Sequence, residues 1–133
     1  MLEYHGWINI RGQAYFVEDD NIDEIVEKIQ HYINNNNWNN GLMSLYPTNG
    51  EYFLHFSGFH NHNYSAPHVT LFMEFIADVA QGSYGIVYLY DDEALDIFEN
   101  KFKVLVLKRG GVTEQADPFL SPYFPEVEDI PME

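Results

Sequence analysis

An α+β fold, with two helices packed on one face of a largely antiparallel sheet, is predicted by three features of this 133-residue sequence. Two stretches carry apolar residues at helical spacing: Ile22, Ile25, Val26, Ile29 and Ile33, then Val69, Phe72, Met73, Ile76 and Val79. Short runs rich in aromatic and β-branched residues, bounded by Gly, Pro and Asn, read as strands. The strand and helix signals follow the order β-α-β-β-α-β-β.

Tyr4 to Ile10 alternates loosely and stops at Arg11-Gly12, giving a first strand that Gln13 to Val17 can continue as a hairpin. Trp7, in that strand beside Gly6, is expected to be buried against a helix, so that Trp7→Ala would cost ~3–5 kcal/mol. Asp19-Asp20-Asn21 then offers an N-cap, with Glu24 in capping-box register after Asn21. The first helix runs into Asn34-Asn35-Asn36-Asn37-Trp38-Asn39-Asn40-Gly41. Asparagine competes with helical backbone bonding, so a loop follows. That loop either presents Trp38 for recognition or folds it back onto the core, and the second reading is favoured.

Leu42–Tyr46 and Tyr52–Phe56 flank Pro47-Thr48-Asn49-Gly50 and form a hairpin. After the polar loop His60-Asn61-His62-Asn63, Ser65 can cap the second helix, with Pro67 in its first turn. Leu71 and Phe75 widen its buried stripe, and Gln81-Gly82-Ser83 stops it. Tyr84–Tyr90 is a strand, and the acidic connection Asp91–Asn100 leads to another. In that strand, Phe102, Val104 and Val106 alternate with Lys101, Lys103 and Leu105. Arg109-Gly110-Gly111 ends it. The Pro-rich segment Asp117–Glu133 is an extended, irregular tail of a single domain spanning 1–133.

Composition narrows the function. Ten Tyr, ten Phe and two Trp supply a core, and the absence of cysteine removes disulfides and thiolate metal sites. Twenty-one acidic residues against six basic ones give a net charge of −15, which repels phosphate backbones and anionic lipid. Nucleic acid and membranes are therefore poor partners, whereas a cation or a basic protein is favoured. With no signal peptide visible and no long apolar span, a cytoplasmic location is expected.

His55, His60, His62 and His68 crowd a short stretch, but without a carboxylate at metal-site spacing. No metal or other cofactor is expected. Asp91-Asp92-Glu93 fails as a calcium loop, because Leu95 and Asp96 stand where that loop needs a ligand and glycine. Ser83 lies between a helix and a strand and is no nucleophile elbow; Gly82 and Gly85 instead allow a tight approach into the strand. No catalytic set survives. Acidic residues do cluster, at Glu18–Glu27, at Asp91–Glu99 and at Glu126, Glu128 and Asp129. Asp23 and Glu24 complement a helix dipole, which leaves the second cluster less well explained structurally. Tyr88 and Tyr90, on one face beside that cluster, resemble an interface hot spot for Arg or Lys, or equally a sheet face covered by a helix.

Several signatures follow one another: Tyr4-His5-Gly6-Trp7, Gly82-Ser83-Tyr84-Gly85, Val87-Tyr88, Asp91-Asp92-Glu93, Asn100 through Phe102 and Val104 to Arg109-Gly110, Asp117-Pro118-Phe119-Leu120-Ser121-Pro122, Pro125 and Glu128-Asp129. In this order they resemble the immunity protein 7 family of bacterial polymorphic toxin systems, across essentially the whole chain. The resemblance implies a cytoplasmic antidote that binds a cognate toxin domain without catalysis or cofactor. Gly6, Trp7, Gly85, Pro118 and Phe119 are expected to keep the fold rather than touch the toxin. The toxin contacts expected on charge are Asp91, Asp92, Glu93 and Asp96 with Tyr88 and Tyr90, joined by Asp19, Asp20 and Asp23. A basic toxin such as a nuclease fits this surface. The competing readings are a small metal-dependent enzyme built on the His55–His68 region and an acidic structural or adaptor module.

Overall fold

Both helical stripes and the strand runs at Tyr4–Ile10, Leu42–Tyr46, Tyr52–Phe56, Tyr84–Tyr90 and Lys101–Leu107 appear, with shifted ends, in the computed structural model, which describes residues 1–13, 21–36 and 41–128. Strand β1 (Leu2–Ile10) is followed by helix α1 (Ile22–Asn35) and the hairpin β2 (Gly41–Thr48) and β3 (Glu51–His60). A 3₁₀ turn at Asn63–Ser65 then leads into helix α2 (Ala66–Val79). Strands β4 (Tyr84–Asp91), β5 (Phe102–Lys108) and β6 (Gly111–Ala116) complete the sheet. The spatial order is β2-β3-β1-β4-β5-β6, with every neighbouring pair antiparallel. The first strand of the chain is thus in the interior of the sheet.

Strand alternation decides the core. Leu2, Tyr4, Ile8 and Ile10 of β1 turn to the helices together with Leu54 and Phe56, Val87 and Leu89, and Leu105 and Leu107. Helix α2 covers them with Val69, Phe72, Met73 and Ile76, and α1 inserts Ile29, while Ile22, Ile25, Val26 and Ile33 pack partly buried. Tyr32 ties the helices together, stacking on Phe75 at 4.4 Å and on Phe72 at 5.4 Å. Glycines admit close approach where the sheet is tightest. A Cβ on Gly6 would stand 2.7 Å from Val87 Cγ2, and one on Gly58 would enter the Tyr4 ring. The β2–β3 loop is Asn49-Gly50, both at positive φ as a two-residue hairpin loop of the primed type requires.

Several expectations are corrected. Arg109-Gly110 does not end the sheet: both residues have positive φ and turn the chain into a sixth strand, β6, on the edge. Trp7 faces away from the helices and is 41% exposed, with its ring edge against Tyr84 at 6.1 Å. Trp7→Ala is therefore expected to cost less than loss of a fully buried ring, ~2–3 kcal/mol, since 41% of its surface already meets water; a urea midpoint shifted by ~5 kcal/mol would contradict this placement. Leu71 is exposed rather than part of the buried stripe. In β5 it is Leu105 and Leu107 that face the helices, which puts Phe102, Val104 and Val106 on the opposite side. Neither Asn21 nor Ser65 makes a side-chain cap bond; the first turn of α1 is held through the Asn21 carbonyl, which accepts from Ile25 N–H at 3.0 Å. Residues 14–17 of the expected hairpin, and Trp38, lie outside the described residues. Among those described, no helix is long and apolar enough to cross a membrane.

Candidate partner-binding surface

The turn after β4 gathers three carboxylates, Asp91, Asp92 and Glu93, whose oxygens lie within 4.8 Å of one another. Like charges so close need donors, and local groups supply them. Asp91 accepts from Glu93 N–H at 3.0 Å and from Asn63 Nδ2 at 3.1 Å. Glu93 accepts from Asn63 N–H at 3.1 Å and has His62 Nδ1 at 3.4 Å. Asp92 pairs with the Met1 ammonium at 2.5 Å. Asp96 closes its own turn, accepting from Phe98 N–H at 2.9 Å, and is exposed. A cleft of about 420 Å³ separates this loop from the start of α2, with Asp91, Glu93 and Asp96 among its walls and Lys101 and Lys103 opposite in charge.

Tyr88 and Tyr90 point to the sheet face that the helices do not cover. The chain's own C-terminal segment covers them there. Tyr90 stacks on Tyr123 with centroids 3.9 Å apart, and Tyr88 donates its hydroxyl to Asp117. Asp117, 3% exposed, also accepts from Phe119 N–H at 2.9 Å, Leu120 N–H at 2.6 Å and Ser121 Oγ–H at 3.1 Å. Burial alone would raise this carboxyl, yet the bonds from Tyr88, Phe119, Leu120 and Ser121 outweigh it and hold the group below its ordinary value. Burial, then the Asp117 bond and charge, push the Tyr88 hydroxyl up to about 12. Tyr90 is raised by burial first and then by its neighbours, with Asp91, Asp92 and Glu128 among them; Tyr123 is raised in the same way, with Glu3 and Asp92 contributing. The Tyr90–Tyr123 stack therefore sits in a negative field.

Of the residues expected at the site, Asp91, Asp92, Glu93 and Asp96 thus share one loop, and Tyr88 and Tyr90 lie in the strand feeding it. Asp23 is on a separate element, exposed in the first turn of α1. Asp19 and Asp20 lie outside the described residues. The histidines are spread over different places. His55 meets Tyr46 on the uncovered face at 3.3 Å, and His60 stacks on core Tyr4 at 5.6 Å; His62 sits by Glu93, and His68 is exposed on α2.

Beyond the tail, no described residue covers the same sheet face. It presents Trp7, Tyr84, Tyr46, Phe59 and Leu42, all exposed. A shallow hollow of about 560 Å³ beside them is lined by Glu3, His5, Leu42, Ser57 and Phe59. The signal for this face lay in β1: Glu3, His5, Trp7 and Asn9 occupy one parity and Leu2, Tyr4, Ile8 and Ile10 the other.

The sequence model of one protein family, described as immunity protein 7, matches residues 1–129. No curated protein and no solved structure matches the chain.

Proposed function

Because the chain belongs to the immunity protein 7 family, we propose that it acts in the cytoplasm as an antidote, binding a cognate toxin domain and blocking it through acidic complementarity. The observation that carries this reading is the convergence of Asp91, Asp92 and Glu93 at one end of the sheet in a chain of net charge −15. A nuclease must attract a polyanion, so its cleft is basic, and an acidic inhibitor exploits the same field. The proposed contacts are Asp91, Asp92, Glu93 and Asp96, with Asp23 and the acidic residues 19 and 20 as a second group. Tyr88 and Tyr90 serve by holding the tail in place beside the loop.

Co-expression with the toxin domain encoded by the neighbouring reading frame is expected to rescue growth. Replacing Asp91, Asp92 and Asp96 by Asn and Glu93 by Gln should lower the association rate ~10-fold or more at low salt and flatten its salt dependence. Urea unfolding of the same variant checks that the loop still folds. An unchanged rate and salt slope, with full protection, would make the acidic loop a solubilising surface only.

A further inference from the structure

The acidic loop supplies steering charge, but its carboxylates are largely engaged by the chain's own donors. An interface of useful affinity also needs a desolvated apolar centre. Among the described residues, the sheet face opposite the helices offers one. On that one face, Leu42 is 64% exposed and Phe59 55% toward the Leu2 end of β1, while Trp7, Tyr84 and Tyr46 are exposed toward its Ile10 end. Exposed aromatic rings gathered on one rigid surface mark an interaction site rather than scattered surface apolarity.

The two halves of this face are treated differently. Over the Tyr88–Tyr90 end of β4 and the start of β5 the C-terminal segment covers it, with Tyr123 against Tyr90 and Phe102. Over β1, β2 and β3 nothing described covers it. The boundary between the halves is acidic: Glu3 stands in register between Tyr90 and Phe59, Glu128 accepts from the Tyr123 hydroxyl at 3.3 Å, and Asp92 lies at the start of β1 against the Met1 ammonium. At the opposite end of β1, Arg11 is already occupied, bonded to Glu51 at 3.2 Å and 5.4 Å from the centre of the Tyr84 ring.

We propose that the toxin seats along the part of this face that no described residue covers, with Phe59 and Leu42 around the hollow and Trp7 and Tyr84 farther along β1 as its apolar contacts, and Glu3, Asp92 and Glu128 as an acidic rim. The matching toxin surface is basic, with Lys and Arg surrounding an apolar side chain that enters the hollow beside Phe59. Arginine suits the rim and the rings alike, because its guanidinium can pair with carboxylates and lie on aromatic faces. This assignment rests on the toxin-binding reading above and names its contact surface. Trp7, expected from the sequence to keep the fold, becomes a contact residue.

The test uses the full chain and the purified toxin domain from the neighbouring reading frame. Phe59→Lys places a like charge at the centre of the contact, and Trp7→Ala removes its largest ring. Leu71→Lys, on the outer side of α2 at a residue 52% exposed, is the control. Phe59→Lys and Trp7→Ala are expected to weaken binding at least ~30-fold, an anchor-sized effect. Leu71→Lys should bind as the wild type does, and Phe59→Lys, at an exposed position, should keep its melting temperature. If the two face variants bind and protect like wild type while wild type itself does so, the surface is wrong and the antidote reading stands. If wild type neither binds the toxin domain nor rescues growth, the antidote reading falls and this inference with it. If wild type self-associates, and Phe59→Lys yields monomers with toxin affinity intact, the face belongs to a second copy and the inference is overturned.

Discussion

Gly85→Ala should destabilise the protein by ~3 kcal/mol or more, at the upper end of what one added methyl does in a packed interior. Gly85 pairs with Ile8 on one side and Leu107 on the other. A Cβ there would fall on the Trp7 carbonyl oxygen and lie 2.7 Å from Ile8 Cα, so the obstacle is backbone rather than a side chain that can rotate away. Relief requires β1 and β4 to separate, and β1 is the strand that joins the two halves of the sheet. Gly50→Ala is the comparison: nothing stands within 4 Å of its Cβ, and only the positive φ opposes it, worth ~1–2 kcal/mol. Urea titrations of both variants check the difference, and a Gly85→Ala midpoint equal to that of Gly50→Ala would refute the close approach.

Asp117→Ala is expected to cost ~3 kcal/mol, because a buried carboxylate holds four donors and its removal leaves them without their acceptor. The loss should show a definite pH signature. A carboxyl with a lowered folded value contributes its full stabilisation above ~4, where the unfolded aspartate is ionised, and loses it as the pH falls through the lowered value. Tyr88 bounds the other side. Its hydroxyl, pushed up to about 12, favours the folded state while protonated, and that advantage fades as the pH rises from ~10 through the folded value. Wild type minus Asp117→Ala stability should therefore be flat from ~4 to ~10 and fall outside those limits. A difference independent of pH below ~4 would mean that Asp117 is not the ionised acceptor.

Local chemistry made much of this fold readable. The isoleucine stripe of α1 and the Val69–Ile76 stripe of α2 predicted two helices on one face, and Pro47-Thr48-Asn49-Gly50 predicted the β2–β3 turn, of which only Asn49-Gly50 is loop. Strand β6 was missed because Gly-Val-Thr-Glu-Gln-Ala is an exposed edge with only Val112 packed on the core, so no apolar alternation announces it. Arg109 at positive φ is not a residue that advertises a hairpin. Trp7 was misplaced by weighing its size over its parity, although its companions Glu3, His5 and Asn9 are polar. The tail could not be placed from pattern. Asp117 makes its turn bonds to Phe119, Leu120 and Ser121 locally, but Tyr88 is 29 positions away, and nothing in the spacing joins them. The acidic loop was legible as a charge run; the engagement of its carboxylates by Asn63 and Met1 was not.

The interior position of β1 has a consequence for the nascent chain. Leu2–Ile10 is made before every other strand of the sheet, yet its partners are β3 and β4, and the β4 ladder is complete only once Asp91 has been made. At ~5–20 residues per second, the stretch from Ile10 to Asp91 takes ~4–16 s to synthesise. During that interval β2, β3 and β1 can pair, but the edge of β1 that receives β4 stays open. Two ladders, β2–β3 and β4–β5–β6, meet only through this strand. Folding is thus a late closure dominated by distant contacts, which is slow compared with helical bundles. A chain stalled before Asp91 would hold both strands that carry Trp7 and Phe59, with no finished sheet to present them.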